Sequence, residues 1–168
     1  LVEQTTQLIS QSAQIADIDI IIDLDPDLPA VWIDEDLVKQ VIMNLLVNAQ
    51  HAIESDGSIT IRTRVHEPRQ PADDEKGGEP MVEISVTDTG CGIEEENLHK
   101  VFDPFFTTKG VGKGTGLGLS VSHGTIAAHG GTIEVDSTPG IGTEFRIYLP
   151  VGVNTKKTQR NGEWKGGF

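Results

Sequence analysis

One cysteine, Cys91, stands in 168 residues. It excludes an internal disulfide and fits a reducing compartment. No apolar run approaches the roughly 20 residues that a membrane-spanning helix needs, and no signal-peptide pattern opens the chain. Cations are scarce: 13 Lys and Arg stand against 26 Asp and Glu, a formal net charge of −13. That balance argues against an extended nucleic-acid surface, which needs clustered cations, and against contact with anionic membrane surfaces. A polyanionic small ligand would have to be held by a few local cations, by backbone N–H groups or by a metal. The standard phosphate loops are missing too. In GVGKGTGLGLS (110–120), Gly114 follows Lys113 where a P-loop needs Ser or Thr. Thr107 stands where the first glycine of that loop belongs, and no GxGxxG pattern fits the stretch.

What is present suits one globular domain with a sizeable core: 36% hydrophobic and 23% charged residues. Residues 1–16 are polar with scattered apolar positions and read as a helical lead-in. IDIIIDLD (18–25) is a strand closed by Pro26 and Pro29. Asp34 reads as an N-cap, with Glu35 and Asp36 in the first turn where the helix dipole favours acids. The apolar positions Val38, Val41, Ile42, Leu45, Leu46, Ala49 and Ile53 then give a helical face to about residue 54. SITIRTRV (58–65) and MVEISVTD (81–88) read as a hairpin around a charged, proline-rich loop at 66–80. A short helix is expected within 94–100, another over 116–129 stopped by Gly130-Gly131, and two final strands through TIEVDS and TEFRIYLP. The tail from Asn154 is polar and patternless. The pattern predicts an α/β domain with mostly antiparallel strand neighbours and three helices, without the regular alternation of a doubly wound sheet.

Four constellations could carry chemistry. Asn44, Asn48 and His51 are spaced by four and seven, which sets them within roughly 60° on the helix, beside its apolar face. An Asn carbonyl oxygen is a hard ligand suited to Mg²⁺; the plainer reading is an exposed polar stripe. DTGCGI (88–93) follows a strand: the Asp88 carboxylate can accept from an exocyclic amine, and Gly90 and Gly92 permit close backbone approach. An ordinary strand-to-loop turn would look the same. VFDPFFTTK (101–109) gathers Phe102, Phe105 and Phe106, a core cluster or a hinge from which a lid swings. The glycine-rich stretch then runs into a helix whose N-terminal N–H groups could bind anions, with Lys109 and Lys113 adding charge.

The order of these motifs, closed by GTEFRIYLP, resembles the ATP-binding catalytic domain of sensor histidine kinases over residues 34–150. The wider superfamily includes type II topoisomerase, heat-shock chaperone and mismatch-repair ATPases. PFFTTK with GKGTGLGLS looks most like the nitrogen-regulation branch of the kinases. The resemblance implies a two-layer α/β sandwich of the Bergerat type: a mixed, mainly antiparallel sheet of about five strands with three helices on one face. It implies ATP and Mg²⁺ as cofactors. Asn48 would coordinate the metal, with Asn44 in support. Asp88 would take the adenine amine, with Thr143 nearby, and Gly90, Gly92 and Ile93 would line the base pocket. Residues 103–116 would form a lid. Phe102, Phe106, Thr108, Lys109, Gly112, Lys113, Gly114, Thr115, Gly116, Leu117 and Gly118 would border the nucleotide, Lys113 acting catalytically beside Asn44 and Asn48. In relatives His51 is often Lys, Arg or Gln, so a contact of His51 with phosphate would be pH-dependent.

Hydrolytic branches carry a Glu four residues before the metal-binding Asn. Asn44 holds that position and cannot act as a general base, so phosphoryl transfer to a protein nucleophile is expected over hydrolysis. None of the five histidines, His51, His66, His99, His123 and His129, has the context of a phosphoacceptor. The acceptor is expected on a dimerisation hairpin preceding Leu1, with residues 1–16 as the connection, 17–153 as the ATP-binding domain and 154–168 as a tail. The implied partners are that hairpin and a response regulator receiver domain, in a homodimeric parent; nucleic acid and membrane contact by this chain are not expected, and its setting is the cytoplasm. The alternatives are an ATPase of the chaperone or topoisomerase type, an anti-sigma Ser/Thr kinase, and an interaction module that has lost ATP.

Overall fold

The computed structural model describes residues 1–15, 17–67, 79–108 and 115–152. Two layers build it, a five-stranded sheet and the helices packed on one face. The elements run α1 (Val2–Ile15), β1 (Ile18–Leu24), α2 (Glu35–Ala52), β2 (Gly57–His66), β3 (Met81–Asp88), α3 (Glu95–Leu98), α4 (Gly118–Ala128), β4 (Thr132–Thr138) and β5 (Gly142–Pro150). The strand order is β1-β2-β3-β5-β4. β1 and β2 are parallel, joined by the α2 crossover, and every other neighbouring pair is antiparallel. α2, α3 and α4 are the three helices expected from the sequence, α3 being a single turn inside 94–100, and α1 is the helical lead-in expected over 1–16.

Alternation decides which sheet face is covered. Ile59 and Ile61 of β2, Val82, Ile84 and Val86 of β3, and Phe145, Ile147 and Leu149 of β5 are buried in one core with α2. The opposite face carries charge: Arg62 and Arg64 pair with Asp23, and Arg146 pairs with Glu144 and Asp136. The exposed Asp23 pairs contribute little stability, Arg146 is half-buried, and together these charges keep this face wet.

α2 is the spine of the site. The Asp34 carboxylate accepts from the N–H groups of Asp36 (3.1 Å) and Leu37 (3.2 Å), satisfying two donors that the helix start leaves open. Its stripe Val38, Val41, Ile42, Leu45, Leu46 and Ala49 is buried, a contribution of roughly 10 kcal/mol. His129 fixes α4 against this start. Its Nδ1–H donates to the Thr125 carbonyl (2.7 Å) and its Nε2 accepts from the Asp34 N–H (3.0 Å). Among the described residues no helix is long and apolar enough to cross a membrane.

Candidate functional site

Between α2, the loop after β3, the 106–108 segment and the start of α4 lies a cavity of about 470 Å³. α2 contributes Asn44, Val47, Asn48, His51 and Ala52, a stripe with the helical spacing expected of one face. Asp88, Cys91, Gly92 and Ile93 form the facing wall, and Thr143 and Phe145 come from β5. Among the described residues the wall holds one carboxylate, Asp88, and no Lys or Arg.

Asp88 ends β3 opposite Thr143 and is 5% exposed. Burial raises its pKa above the usual carboxylate value, while hydrogen bonds from the backbone N–H groups of Gly90 and Thr143 act against that rise. The Gly90 N–H lies 2.8 Å from its Oδ1. The loop that follows is tied on three sides. Cys91 N–H donates to the Ala52 carbonyl at the end of α2 (2.9 Å), Thr89 N–H to the Ser58 carbonyl of β2 (3.2 Å), and Gly140 N–H to the Cys91 carbonyl (2.8 Å). Two glycines make these approaches possible. A Cβ on Gly90 would lie 2.6 Å from Ala52 backbone atoms, and one on Gly92, at φ +71, would lie 2.3 Å from the Thr138 carbonyl oxygen.

Asn44 also answers to packing. Its Nδ2 donates to Ser122 Oγ of α4 (3.0 Å), and a Cβ on Gly118 would come within 2.4 Å of its Oδ1. The side chain therefore joins α2 to α4 at the cavity edge. α4 starts without a side-chain cap at Leu117, and Gly118 and Leu119 from that start reach the cavity wall.

Of the residues expected at the site, Asn44, Asn48, His51, Asp88, Gly92, Ile93, Phe106, Thr108, Thr115, Gly116, Gly118 and Thr143 meet around this cavity. Gly90 does not line it; its missing side chain makes room for Ala52. Phe102 points elsewhere, packing against His123 of α4 (5.3 Å between ring centres) and Phe145 (6.4 Å). Leu117 borders a smaller groove between α2 and α4. Lys109, Gly112, Lys113 and Gly114 lie outside the described residues, as does the middle of the expected lid, residues 109–114 of 103–116. Those ends touch: Phe105, at φ +69, donates its N–H to the Gly116 carbonyl (2.8 Å). Thr107, within the expected lid, also lines the cavity, as do Val47, Ala52, Cys91, Val101, Leu119 and Phe145, which are not among the residues expected there. Val47 and Ala52 could have been found by helical spacing from Asn44 and Asn48; Leu119 and Phe145 carry no signal beyond ordinary core positions.

A strand-end carboxylate, an asparagine-bearing helix and a glycine-tied loop around one cavity invite comparison with known ATPases. The family described as histidine kinase-, DNA gyrase B- and HSP90-like ATPase matches residues 33–153, from the start of α2 through β5. The chain belongs to this ATPase family. It is 41% identical over 158 residues to the signal transduction histidine-protein kinase AtoS of Escherichia coli, covering 94% of this chain and 24% of that protein. It is 44% identical over 150 residues to the sensor kinase CckA of Brucella abortus, covering 84% and 15%. The catalytic domain of the histidine kinase ThkA superposes with a TM-score of 0.72 at 31% identity, covering 89% of this chain and 90% of that one. The match to AtoS and to the sensor kinase ZraS agrees with the nitrogen-regulation branch expected from the lid motif. The chain spans about a quarter to a third of the length of these two curated relatives.

Proposed function

We propose that the chain is the catalytic domain of a two-component sensor histidine kinase, passing the γ-phosphoryl group of ATP to a histidine on a separate domain for onward transfer to a response regulator aspartate. The observation that carries this reading is the face α2 turns to the cavity: Asn44, Asn48 and His51, with no carboxylate. A hydrolytic ATPase needs a base that activates water, and an asparagine amide cannot take the proton. Positioning and charge neutralisation suffice for transfer to an imidazole, since phosphoryl transfer asks little covalent chemistry of the protein.

In this reading Asp88 accepts from the adenine amine, Thr143, Gly92 and Ile93 frame the base, and the uncapped N–H groups at the start of α4 face the phosphates. Asn48 would hold Mg²⁺, with Asn44 in support. Such an ion would be held mostly by phosphates and water, with one amide oxygen added. Bound Mg²⁺ would neutralise charge on the phosphate oxygens. Lys113 and Lys109 would supply the cations that the described wall lacks, and residues 103–116 would act as the lid. The solved ThkA complex with the response regulator TrrA supports a receiver-domain partner here as well. The upstream hairpin, a homodimeric parent and a cytoplasmic setting for this domain complete the proposal.

Incubating the chain with Mg-ATP and its upstream helical hairpin in trans tests the reading. Acid-labile, base-stable phosphate on the hairpin is expected. Steady ATP turnover without a labelled hairpin would instead identify a hydrolase, and acid-stable phosphate a Ser/Thr kinase.

A further inference from the structure

Ser137 lies on β4, outside the cavity wall, yet it holds two residues of that wall. Its Oγ accepts from the Ile93 N–H (2.8 Å), donates to the Gly142 carbonyl (2.8 Å) and lies 2.9 Å from Thr143 Oγ1. A serine hydroxyl has one proton and two lone pairs. The Gly142 carbonyl can only accept, so it takes the Ser137 proton. The Ile93 N–H fills one lone pair, and the other is left for the Thr143 hydroxyl proton. All three contacts are met together only when Thr143 donates to Ser137. The Thr143 proton is then turned away from the cavity, and Thr143 Oγ1 offers it lone pairs alone. Ionised Asp88, directly opposite Thr143 in the β3–β5 ladder, is also an acceptor without a proton.

We propose that Ser137 is a positioning residue for base selection: by fixing the Thr143 hydroxyl as an acceptor, it makes this end of the cavity accept a purine amine and reject a purine carbonyl at the same ring position. The inference rests on the adenine site proposed above. Without Ser137 the Thr143 hydroxyl can rotate and donate to a carbonyl, relieving the rejection.

Calorimetric titration with ADP and with inosine diphosphate, which carries oxygen where ADP carries the amine, tests this on the whole chain. Ser137→Ala should narrow the ADP preference by about fivefold, the worth of one neutral hydrogen bond. Ser137→Thr, which keeps the hydroxyl, should retain the wild-type preference. A purely structural role would weaken both nucleotides equally, and an unchanged ratio in folded Ser137→Ala overturns the proposal. Thr143→Val gives a second route should Ser137→Ala fail to fold: the ratio must narrow there too, and an unchanged one overturns the proposal. Wild-type chain that binds ADP with a ratio insensitive to Ser137 refutes this inference alone; wild-type chain that binds neither nucleotide refutes the adenine site with it.

Discussion

Gly140 and Gly142 stand two residues apart in the turn between β4 and β5, and alanine should separate them sharply. A Cβ on Gly142 would lie 1.9 Å from the Asp88 carbonyl oxygen and 2.9 Å from its carbon. A carbon beside a carbonyl oxygen settles at about 3.3 Å, so the two strands must part by roughly 1.4 Å where Asp88 faces Thr143. The obstacle is backbone on both sides, and no rotamer change relieves it. Gly142 also sits at φ +145, a conformation that adds strain for alanine. Weakened ladder bonds at about 1 kcal/mol each and backbone strain of about 1–3 kcal/mol give a cost of roughly 4 kcal/mol. For a chain of this size that lowers Tm by roughly 10 °C. Gly140, at φ +75 with nothing within 4 Å of its Cβ position, should cost only about 1–2 kcal/mol for the left-handed conformation. Thermal unfolding followed by circular dichroism gives the difference. ADP titration below both midpoints should show more than tenfold weaker binding for Gly142→Ala and little change for Gly140→Ala. Equal melting temperatures and equal ADP affinities in the two variants would refute the close approach at Asp88 and its tie to the site.

Three further outcomes follow from the same geometry. Asn44→Ala and Ser122→Ala each lose the hydrogen bond between α2 and α4, about 1 kcal/mol, and the double variant should cost about 1 kcal/mol less than the sum in urea unfolding; full additivity would mean that the pair is not coupled. Asn48→Ala should slow phosphoryl transfer to the hairpin by about 100-fold or more while metal-free ADP binding changes far less, and a parallel loss of both would contradict its proposed place at the phosphates. Burial raises the folded pKa of Asp88 above its unfolded value, so ionising it costs the fold stability; that cost is absent below the unfolded pKa and complete above the folded one. ADP affinity should therefore fall on acidification at a pH above the range of an exposed carboxylate, and a midpoint within that ordinary range would remove burial as the cause.

Legibility in the sequence followed the range of the forces involved. The Asp34 cap, the buried stripe of α2 and the strand alternation are local patterns, and the structure has them where periodicity puts them. The asparagine stripe and Asp88 were legible because chemistry and spacing coincide there. Gly90 and Phe102 show the limit. A glycine beside a carboxylate signals close approach without saying to what, and here the neighbour is Ala52 rather than the cavity. A phenylalanine before a glycine-rich loop could be hinge, ligand contact or core, and its partners His123 and Phe145 lie far along the chain. The parallel pairing of β1 with β2 and the Ser137 hub joining positions 93, 137 and 143 depend on tertiary neighbours that no local pattern encodes.

Calorimetric titration of ADP into Asp88→Asn tests the adenine site most directly. The amide keeps one acceptor oxygen, which the Gly90 N–H would hold at the Oδ1 position, and puts an NH2 donor at the other, so the acceptor for the adenine amine is lost while the side chain keeps its size. A hydrogen bond to a charged group is worth about 1.5–3 kcal/mol, which weakens ADP binding by about 10- to 150-fold. Near neutral pH the nucleotide-free variant should melt at or above the parent temperature, because a buried charge has been removed. ADP affinity equal to the parent's in a folded Asp88→Asn chain would contradict the account.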